Sequence, residues 1–269
     1  MCLPVELDEM SQVPTLNLSE LAAEYDEKRR MEPADFQRLL DLIFHYGRPA
    51  GQILEVGCGT GFYLIPLARQ LPDARCYGLD IALAMLTQAQ AKARKFGLSN
   101  CLLARADAHY LPFKGQSFEF VLLSQVLHYF QDRSRVAWDI SQLCKPGGRL
   151  LVITTSHPQL RSQIDLALFP GIIKREMARM PDLEEIRLLF AGHGFQLFAT
   201  VEFAASFRFS SPEVLAQWVA RKPWSSYLLF SEPDFRRRLK AFQRNLSRAF
   251  GEGEIVYLVP QTLLFFRKL

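Results

Sequence analysis

The sequence lacks a long apolar run, a basic leader and any closely spaced pair of cysteines. A helix that spans a bilayer needs about 20 consecutive apolar residues, and no such stretch is present. Residues 1–18 hold three acids and no long apolar core, so neither a secretory nor a mitochondrial signal fits. We therefore expect a cytoplasmic protein without a membrane span.

Cysteine is scarce and scattered. The five cysteines stand at positions 2, 58, 76, 101 and 144, an odd number without Cys-x-x-Cys spacing. This pattern argues against both a disulfide framework and a zinc site. We expect reduced thiols and no bound metal.

The net charge is also small, +4 over 269 residues. The excess lies in residues 204–269, which carry 11 basic and 5 acidic residues. Within them, a helix is predicted by the spacing of Phe235, Leu239, Phe242 and Leu246, which leaves its basic residues on the opposite face. A solvated basic face is the ordinary interpretation, and an anionic partner is the alternative.

Glycine, in contrast, is concentrated in one short stretch. Residues 53–61 read Ile-Leu-Glu-Val-Gly-Cys-Gly-Thr-Gly, with glycines at alternate positions 57, 59 and 61. Glycines allow a positive φ and a close approach of backbone N–H groups to a ligand, and the helix predicted to follow favours an anionic group at its start. A cofactor loop is indicated, although a tight strand-to-helix turn without a ligand has the same pattern.

Two details favour a cationic cofactor over a dinucleotide. Phe62 stands where a dinucleotide fingerprint has its third glycine. Glu55, two residues before the first glycine, would repel a pyrophosphate but attract an ammonium or sulfonium group. S-adenosylmethionine carries both cations and no pyrophosphate. Nothing beside Cys58 except the helix start lowers a thiol pKa, so we interpret it as a small filler.

The loop resembles the first motif of class I S-adenosylmethionine-dependent methyltransferases, in particular small-molecule, type 11-like members. Later segments resemble the family's further motifs in the family's order: 75–86, 105–113, 117–128 and 143–153. The chain departs from the family at Ala82, where a small hydroxyl residue is usual, and at Glu119, where aspartate is usual. The resemblance implies this cofactor-binding set: Glu55, Gly57, Gly59, Gly61, Asp80, Ile81, Met85, Asp107, Ala108, Gln125 and Tyr25.

Two acids in that set have roles that the resemblance implies. Asp80 ends a predicted strand 19 residues after Gly61, where an acid binds ribose hydroxyls in a nucleotide-binding βαβ unit. Asp107 matches the acid that accepts from the adenine amino group in relatives. Both acids could instead cap a local turn or helix.

Apolar segments near 52–56, 75–79, 101–105, 118–123 and 148–154 alternate with predicted helices, which indicates a parallel sheet. The resemblance implies an α/β, Rossmann-like, doubly wound sheet of seven strands with the last antiparallel. It also implies an N-terminal helical lid, on which Tyr25 and Arg29 are candidate contacts, and helical insertions after strands five and six; an ordinary surface helix is the alternative for the lid. The expected division is a flexible N-terminus 1–17, lid 18–50, cofactor core 51–156, insertion and strand six 157–211, acceptor-side helical insertion 212–250 and final strand 251–269.

Histidine offers a candidate for proton transfer. His128 follows strand four, which in relatives lies beside the reactive methyl group, so it is our candidate general base, with a purely structural role as the alternative. His157 is a second candidate. We expect His45, His109 and His193 to be surface residues of helices or loops.

These features predict methylation of a small, partly apolar acceptor through oxygen, nitrogen or carbon. No Asn-Pro-Pro-Tyr-like tetrapeptide follows strand four, which argues against nucleic-acid amine methylases, so no DNA partner is expected. Three alternatives stay open: an RNA methyltransferase that uses the basic helix, a non-catalytic S-adenosylmethionine-binding module, and a nicotinamide oxidoreductase.

Overall fold

A computed structural model describes residues 22, 24–29 and 31–269. Seven strands form one sheet in the order β3-β2-β1-β4-β5-β7-β6, in which β1 to β5 are parallel and β7 is antiparallel to both of its neighbours. This confirms the predicted fold. The strands are β1 Gln52–Val56, β2 Arg75–Asp80, β3 Cys101–Arg105, β4 Phe118–Ser124, β5 Cys144–Thr154, β6 Phe195–Phe209 and β7 Ile255–Lys268.

Eleven α-helices lie in the described part of the chain, and the predicted flexible segment 1–17 is outside it. A π-helical turn, Ile43–Gly47, extends the second helix, and 3₁₀ turns lie at Leu127–Tyr129 and Ser225–Leu229. The helices are α1 Tyr25–Lys28, α2 Pro33–Leu42, α3 Leu64–Gln70, α4 Leu83–Lys95, α5 Arg133–Leu143, α6 His157–Ser162, α7 Ile164–Leu168, α8 Ile172–Arg179, α9 Leu183–Ala191, α10 Pro212–Ala220 and α11 Glu232–Ala249.

Helices cover both faces of the sheet, as buried parallel strands require. On one face, Ile140 of α5 and Phe190 of α9 pack against central strand residues such as Val121. On the other face, Leu39 of α2 and Leu67 of α3 pack in a second apolar cluster. Local signals set the helix ends. Asp182, for example, caps α9 through a capping box, as its sequence position predicts.

The β6–β7 hairpin extends beyond the rest of the sheet. β5 pairs only with residues 262–267 of β7, whereas β6 pairs with β7 along its whole length. The projecting half carries a third apolar cluster, which holds the helices of both insertions around Phe169, Tyr227 and Phe242. The insertions therefore share a core with the hairpin and pack at one end of the sheet.

The strand order reverses direction between β1 and β4, and ligands of open α/β sheets bind outside the carboxyl ends of the strands at such a point. Glu119 lies at the opposite end, where it accepts from the Gln52 N–H at 2.7 Å and pairs with Lys145. That residue therefore ties strand beginnings together. None of the described helices combines the length and apolar character that crossing a bilayer requires.

Candidate functional site

The glycine loop leaves β1 and turns back on itself at the switch point. The N–H groups of Gly57 and Cys58 both donate to the Leu79 carbonyl, at 2.7 and 2.9 Å. Gly57 has a φ of +74°, and a Cβ there would lie 2.3 Å from Val126 Cγ2. Only glycine therefore lets the loop after β4 approach this closely.

The other two loop glycines have different surroundings. Gly59, at φ +53°, faces open space, with no heavy atom within 4 Å of a Cβ built on it. Gly61, at φ +74°, faces Ile65 and Ala89 instead, and a Cβ would lie 2.8 Å from Ile65 Cγ1. Of the predicted cofactor set, Gly61 is the residue that lines neither cavity described below, because it packs α3 against α4.

Asp80 joins the loop to the start of α4. One carboxylate oxygen accepts from the Gly59 N–H at 2.8 Å, and the other accepts from the Ala82 N–H at 2.8 Å. Burial raises the pKa of this carboxyl, while the two backbone N–H groups oppose that rise. The Asp80 carboxylate thus makes a local turn contact before α4, and the Gly59 contact holds it beside the loop.

A cleft of about 1330 Å³ opens at the carboxyl ends of the first four strands; we call it the strand-end cleft. Asp107 lines it and accepts from the backbone N–H and the ring of His109, at 2.9 and 2.7 Å, which holds the pKa of Asp107 below its usual value. His109 is half-buried, and its Nε2 also accepts from the Asp132 N–H. His109 thus lies in a loop and is partly exposed, and it also lines the cleft between two turns. The predicted residues on the cleft wall are Tyr25, Gly57, Gly59, Asp80, Ile81, Met85, Asp107, Ala108 and Gln125.

A second cavity of about 1100 Å³ adjoins the cleft and lies under the insertions; we call it the chamber. Leu160, Leu166, Met180, Phe207 and Val259 give it a largely apolar wall. Several residues of segment 157–181 lie on this wall. The residues common to cleft and chamber, which we call the shared wall, are Tyr25, Gly57, Gly59, Ser124, Gln125 and Tyr129.

Glu55 projects from β1 toward the chamber side of the glycine loop. It is 1% exposed, and its Oε2 is buried without a hydrogen-bond partner among the described residues. Burial raises the pKa of its carboxyl well above the ordinary range, and the nearby Asp80 adds to the rise. An unpartnered buried carboxyl costs stability, so this side chain is suited to a donor or cation that the folded chain does not supply.

The exit of β4 is strained at the shared wall. Gln125 has a φ of +48°, unusual for a residue with a side chain, and its N–H donates to the Ile153 carbonyl at 2.8 Å. Its side-chain amide donates to Thr155 Oγ1 at 3.1 Å, which fixes its position between cleft and chamber. Such strain persists only where its surroundings hold it, as they do at many functional sites.

His128 follows this strained residue on the 3₁₀ turn and lines the chamber. It is 6% exposed, and its Nε2 is buried without a partner among the described residues. Burial, reinforced by the guanidinium groups of Arg179, Arg29 and Arg133, lowers its pKa well below the usual value. The imidazole is therefore neutral near pH 7. His157, the second candidate, instead bonds through Nε2 to the Met180 carbonyl at 2.9 Å.

Arg179 ends α8 on the chamber wall and is 7% exposed. Its Nε and Nη2 donate to the two oxygens of Glu176 at 2.7 and 2.8 Å, and Nη2 also donates to Ser225 Oγ at 2.9 Å. Its Nη1 is buried without a partner among the described residues. The Tyr129 ring centre lies 5.6 Å from the Arg179 guanidinium carbon and 4.0 Å from the His128 ring centre.

The short helix α1 covers both cavities. Asp26 accepts from Thr60 Oγ1 beside the glycine loop and pairs with Lys92 of α4, both at 2.5 Å. The guanidinium carbon of Arg29 lies 3.8 Å from the Tyr25 ring centre, and its Nε donates to the Pro223 carbonyl at 3.0 Å. The helix thus connects the core to the second insertion, as a lid would.

Several chamber residues belong to no sequence motif. Glu176 and Arg179 come from α8, Trp224 and Ser225 from the second insertion, and Gln261 from β7. The one sequence signal was the apolar character of segment 157–181, which indicated a packed cover but not its polar residues. Their role depends on the tertiary arrangement.

Comparisons with known proteins agree with this geometry. Residues 54–152 match the model of the methyltransferase domain family. A demethylmenaquinone methyltransferase of Geobacillus kaustophilus is 35% identical over 108 residues, which are 40% of this chain and 46% of that protein. The chain therefore matches about half the length of this curated relative.

Solved structures share the fold over a longer stretch. A putative methyltransferase of Bacillus halodurans has a TM-score of 0.62 at 18% identity, covering 87% of this chain and 99% of its own. A geranyl diphosphate C-methyltransferase of Streptomyces coelicolor, solved with S-adenosyl-L-homocysteine, has a TM-score of 0.56 at 14% identity and covers 87% and 77%.

Sheet order, glycine loop and family match agree on one assignment. The family model covers residues 54–152, from β1 to the last residues of β5, and the solved structures share the topology of the sheet. Residues 54–152 of this chain are therefore similar to the methyltransferase domain family, and they lie in a sheet that has the fold of those solved structures.

Proposed function

We propose that the protein transfers a methyl group from S-adenosylmethionine to a small, partly apolar acceptor held in the chamber. The observation that carries this proposal is the shared wall, since one set of residues borders both the strand-end cleft and the chamber. A donor in the cleft and an acceptor in the chamber would meet there. Positioning of this kind supplies effective molarities on the order of 10⁵ to 10⁸ M.

The residues of the cleft, together with Glu55 on the adjoining chamber side of the glycine loop, fit the cofactor. Gly59 leaves open space for a close backbone approach, and the buried Oε2 of Glu55 lacks the cationic partner that S-adenosylmethionine would provide. Asp80 and Asp107 stand at successive strand ends, where they would take the ribose hydroxyls and the adenine amino group. When bound, the cofactor supplies an electrophilic methyl group.

The chain's own contribution is alignment, exclusion of water and proton acceptance. Gln125 is fixed at the shared wall by Thr155, and α1 covers the region as a lid with Tyr25 against the cofactor. His128 is neutral and has an unpartnered Nε2 in the chamber, so it could accept a proton or a hydrogen bond from an acceptor. These roles are what we propose for the predicted residues.

The identity of the acceptor does not follow from the curated relatives. Their names indicate a methyltransferase acting on demethylmenaquinone, but the match covers 40% of this chain, about the length of the core. About half of the chamber wall consists of residues from the insertions and the β6–β7 hairpin. A small-molecule acceptor is supported by the chamber's position beside the cleft and by its apolar wall with a few polar groups.

The RNA alternative has little support in this geometry. No residue of α11 lines the chamber, so its basic face lies outside the proposed reaction site. Several of its arginines are paired locally, for example Arg236 with Glu232 and Arg238 with Asp234. A solvated basic face accounts for the helix, and a small acceptor is the better proposal.

The test combines two measurements on the full chain. Calorimetric titration with S-adenosylhomocysteine should show binding, and methyl transfer from labelled S-adenosylmethionine should yield product with some member of a broad panel of small acceptors. Binding without product across the panel would favour a non-catalytic module. Tight NADH binding in place of S-adenosylhomocysteine would support the oxidoreductase alternative. Either of these two results would overturn the proposal.

A further inference from the structure

Four buried polar atoms of chamber-lining residues lack a hydrogen-bond partner among the described residues: Glu55 Oε2, His128 Nε2, Arg179 Nη1 and Gln261 Oε1. The proposed function uses the first two and gives no role to Arg179. The Nη1 of Arg179 and the Nε2 of His128 are each buried without a partner among the described residues. The Tyr129 ring lies against both side chains, which places them on the same part of the wall. Buried polar groups in folded proteins are normally hydrogen-bonded, so this pair indicates a missing ligand.

Hydrogen bonds fix the direction of Arg179. Glu176 and Ser225 engage Nε and Nη2, and Arg133 of α5 holds the C-terminal end of α8 by donating to the Arg179 carbonyl at 2.6 Å. The same Arg133 donates through Nε to the Leu127 carbonyl at 3.0 Å, next to His128. The two unpartnered groups are therefore positioned relative to each other by one shared residue, before any ligand arrives.

The charges on the chamber wall favour an anion. Arg179 is balanced by Glu176, and Glu55 has the cationic cofactor as its proposed partner. Arg29 adds a further positive charge, and among the described residues no carboxylate lies within salt-bridge distance of it. An ammonium group would meet two guanidinium groups here, whereas an oxyanion would be attracted by both.

The neutral imidazole of His128 restricts the class of anion that the chamber can bind. A hydroxyl suits Nε2 in either tautomer, because it can donate its proton to an unprotonated Nε2 or, once ionised, accept from a protonated one. A carboxylate suits only the second tautomer. The Nη1 of Arg179 has two free N–H groups, but Nη2 is engaged by Glu176 and Ser225, so the two-nitrogen fork that binds both oxygens of a carboxylate is not free. The apolar remainder of the wall, including Leu166 and Phe207, suits a flat hydrocarbon body.

We propose that the acceptor is an acidic hydroxy compound, a phenol or an enol, which the chamber binds in ionised form through Arg179 Nη1 beside His128. This inference rests on the proposed function and names its substrate class. On binding, the hydroxyl proton leaves for solvent and the oxygen keeps the electron pair. Arg179 is thus an acceptor-binding residue, and Arg133 and Glu176 are positioning residues.

The experiment uses the full chain saturated with S-adenosylhomocysteine, which prevents turnover. The probe is 4-nitrophenol, whose ionisation is visible in its absorption spectrum, and the matched control is 4-nitroanisole, which keeps the ring and nitro group but cannot ionise. Equilibrium dialysis should show binding of 4-nitrophenol about ten- to a hundredfold tighter than of 4-nitroanisole, the range of a charged hydrogen bond. The bound phenol should ionise at lower pH than the free one.

Two variants then separate a binding role from a structural one. The double variant Arg179→Gln, Glu176→Gln keeps the site neutral and should lose most of the preference for 4-nitrophenol while 4-nitroanisole binding stays the same. If that variant does not fold, Glu176→Gln alone leaves the arginine charge uncompensated and should raise 4-nitrophenol affinity. Equal binding of the two probes, a bound phenol that stays protonated, or variants that do not alter the preference would overturn the inference.

The proposed function and the phenol assignment would be contradicted by different results. Each protein is first titrated with S-adenosylhomocysteine, and a wild-type chain that binds none of it would contradict the proposed function. A chain that binds S-adenosylhomocysteine and methylates an amine, but shows no preference for the ionisable probe, would leave the proposed function standing and refute the phenol assignment.

Discussion

The strand-end cleft is lined mainly by residues at the carboxyl ends of the first four strands and in the loops that follow them, whereas about half of the chamber lining comes from elements far apart in the sequence. Gly59, Asp80 and Asp107 stand at or just after the ends of β1, β2 and β3. Arg179 and Gln261 reach the chamber from α8 and β7. Substitutions should therefore divide into two groups, those that lose the cofactor and those that lose the acceptor.

The largest expected effect is the loss of cofactor binding in Gly59→Val. The new side chain would project into the open space of the cleft, and we expect affinity for S-adenosylhomocysteine to fall about a hundredfold or more, since overpacking of this kind costs up to about 3 kcal/mol. Gly97→Val is the matched control, because Gly97 also has a positive φ, +64°, and open space around it, but lies in a surface turn. Both variants carry backbone strain, and calorimetry should show that only the first loses the ligand.

Asp80→Ala comes next. It removes the acceptor of the Gly59 and Ala82 N–H groups and the proposed ribose contact, and we expect a loss of roughly 1.5 to 3 kcal/mol in cofactor binding. Asp182→Ala is the control, since it removes a helix cap of α9 outside both cavities. Equal cofactor affinity in the two variants, measured by titration, would refute the role of Asp80.

Glu55→Gln should weaken cofactor binding about tenfold, the lower end of the range for a lost charged hydrogen bond, and at the same time stabilise the ligand-free protein. Because the pKa of Glu55 is raised in the folded state, that state binds more protons than the unfolded chain above the ordinary carboxyl range, so stability falls as pH rises there. The variant removes this loss. Urea unfolding as a function of pH should show a flatter profile than wild type.

His128 gives a second prediction for the pH dependence of unfolding stability, which serves as a control for the one at Glu55. Its pKa is lowered in the folded state, so the unfolded chain binds the extra proton, and stability is lost as pH falls below the usual histidine value. His128→Gln should remove that acid-side loss and leave the slope from Glu55 unchanged. Identical profiles for both variants would contradict the assignment of either group.

A smaller effect is expected at the lid. Asp26→Asn weakens the contact with Lys92, and since partly exposed ion pairs contribute about 0.2 to 1 kcal/mol, cofactor affinity should fall no more than about fivefold. Glu184→Gln breaks a comparable exposed pair with Arg187 on α9 and should leave affinity unchanged. A lid variant that behaves like this control would show that α1 does not act on the cofactor.

The smallest effect is expected on the basic face of α11. Lys240→Glu with Arg244→Glu reverses two exposed charges away from both cavities, and methyl transfer should change by less than about twofold, as for most surface substitutions. A steep salt dependence of activity that this variant abolishes would instead support an RNA acceptor.

The difference between the two cavities also explains what the sequence could predict. The parallel strands follow from short-range spacing, because each apolar segment and the residue at its end recur at one edge of the sheet. The antiparallel last strand and the cofactor set came from the family resemblance. Glu176 and Arg179 stand at i and i+3, a spacing typical of exposed surface pairs, and only the packing of α8 under the second insertion buries them. The contacts of His109 with Asp107 and Asp132 likewise depend on two separate turns.

The most direct test of the central claim, that cleft and chamber meet at the shared wall, is a crystal structure of the full chain with S-adenosylhomocysteine. We predict its adenosine at Asp80 and Asp107, its ammonium near Glu55 and its sulfur at Gly57 and Gln125, facing the chamber. A ligand bound elsewhere, or a sulfur separated from the chamber by protein, would contradict the account.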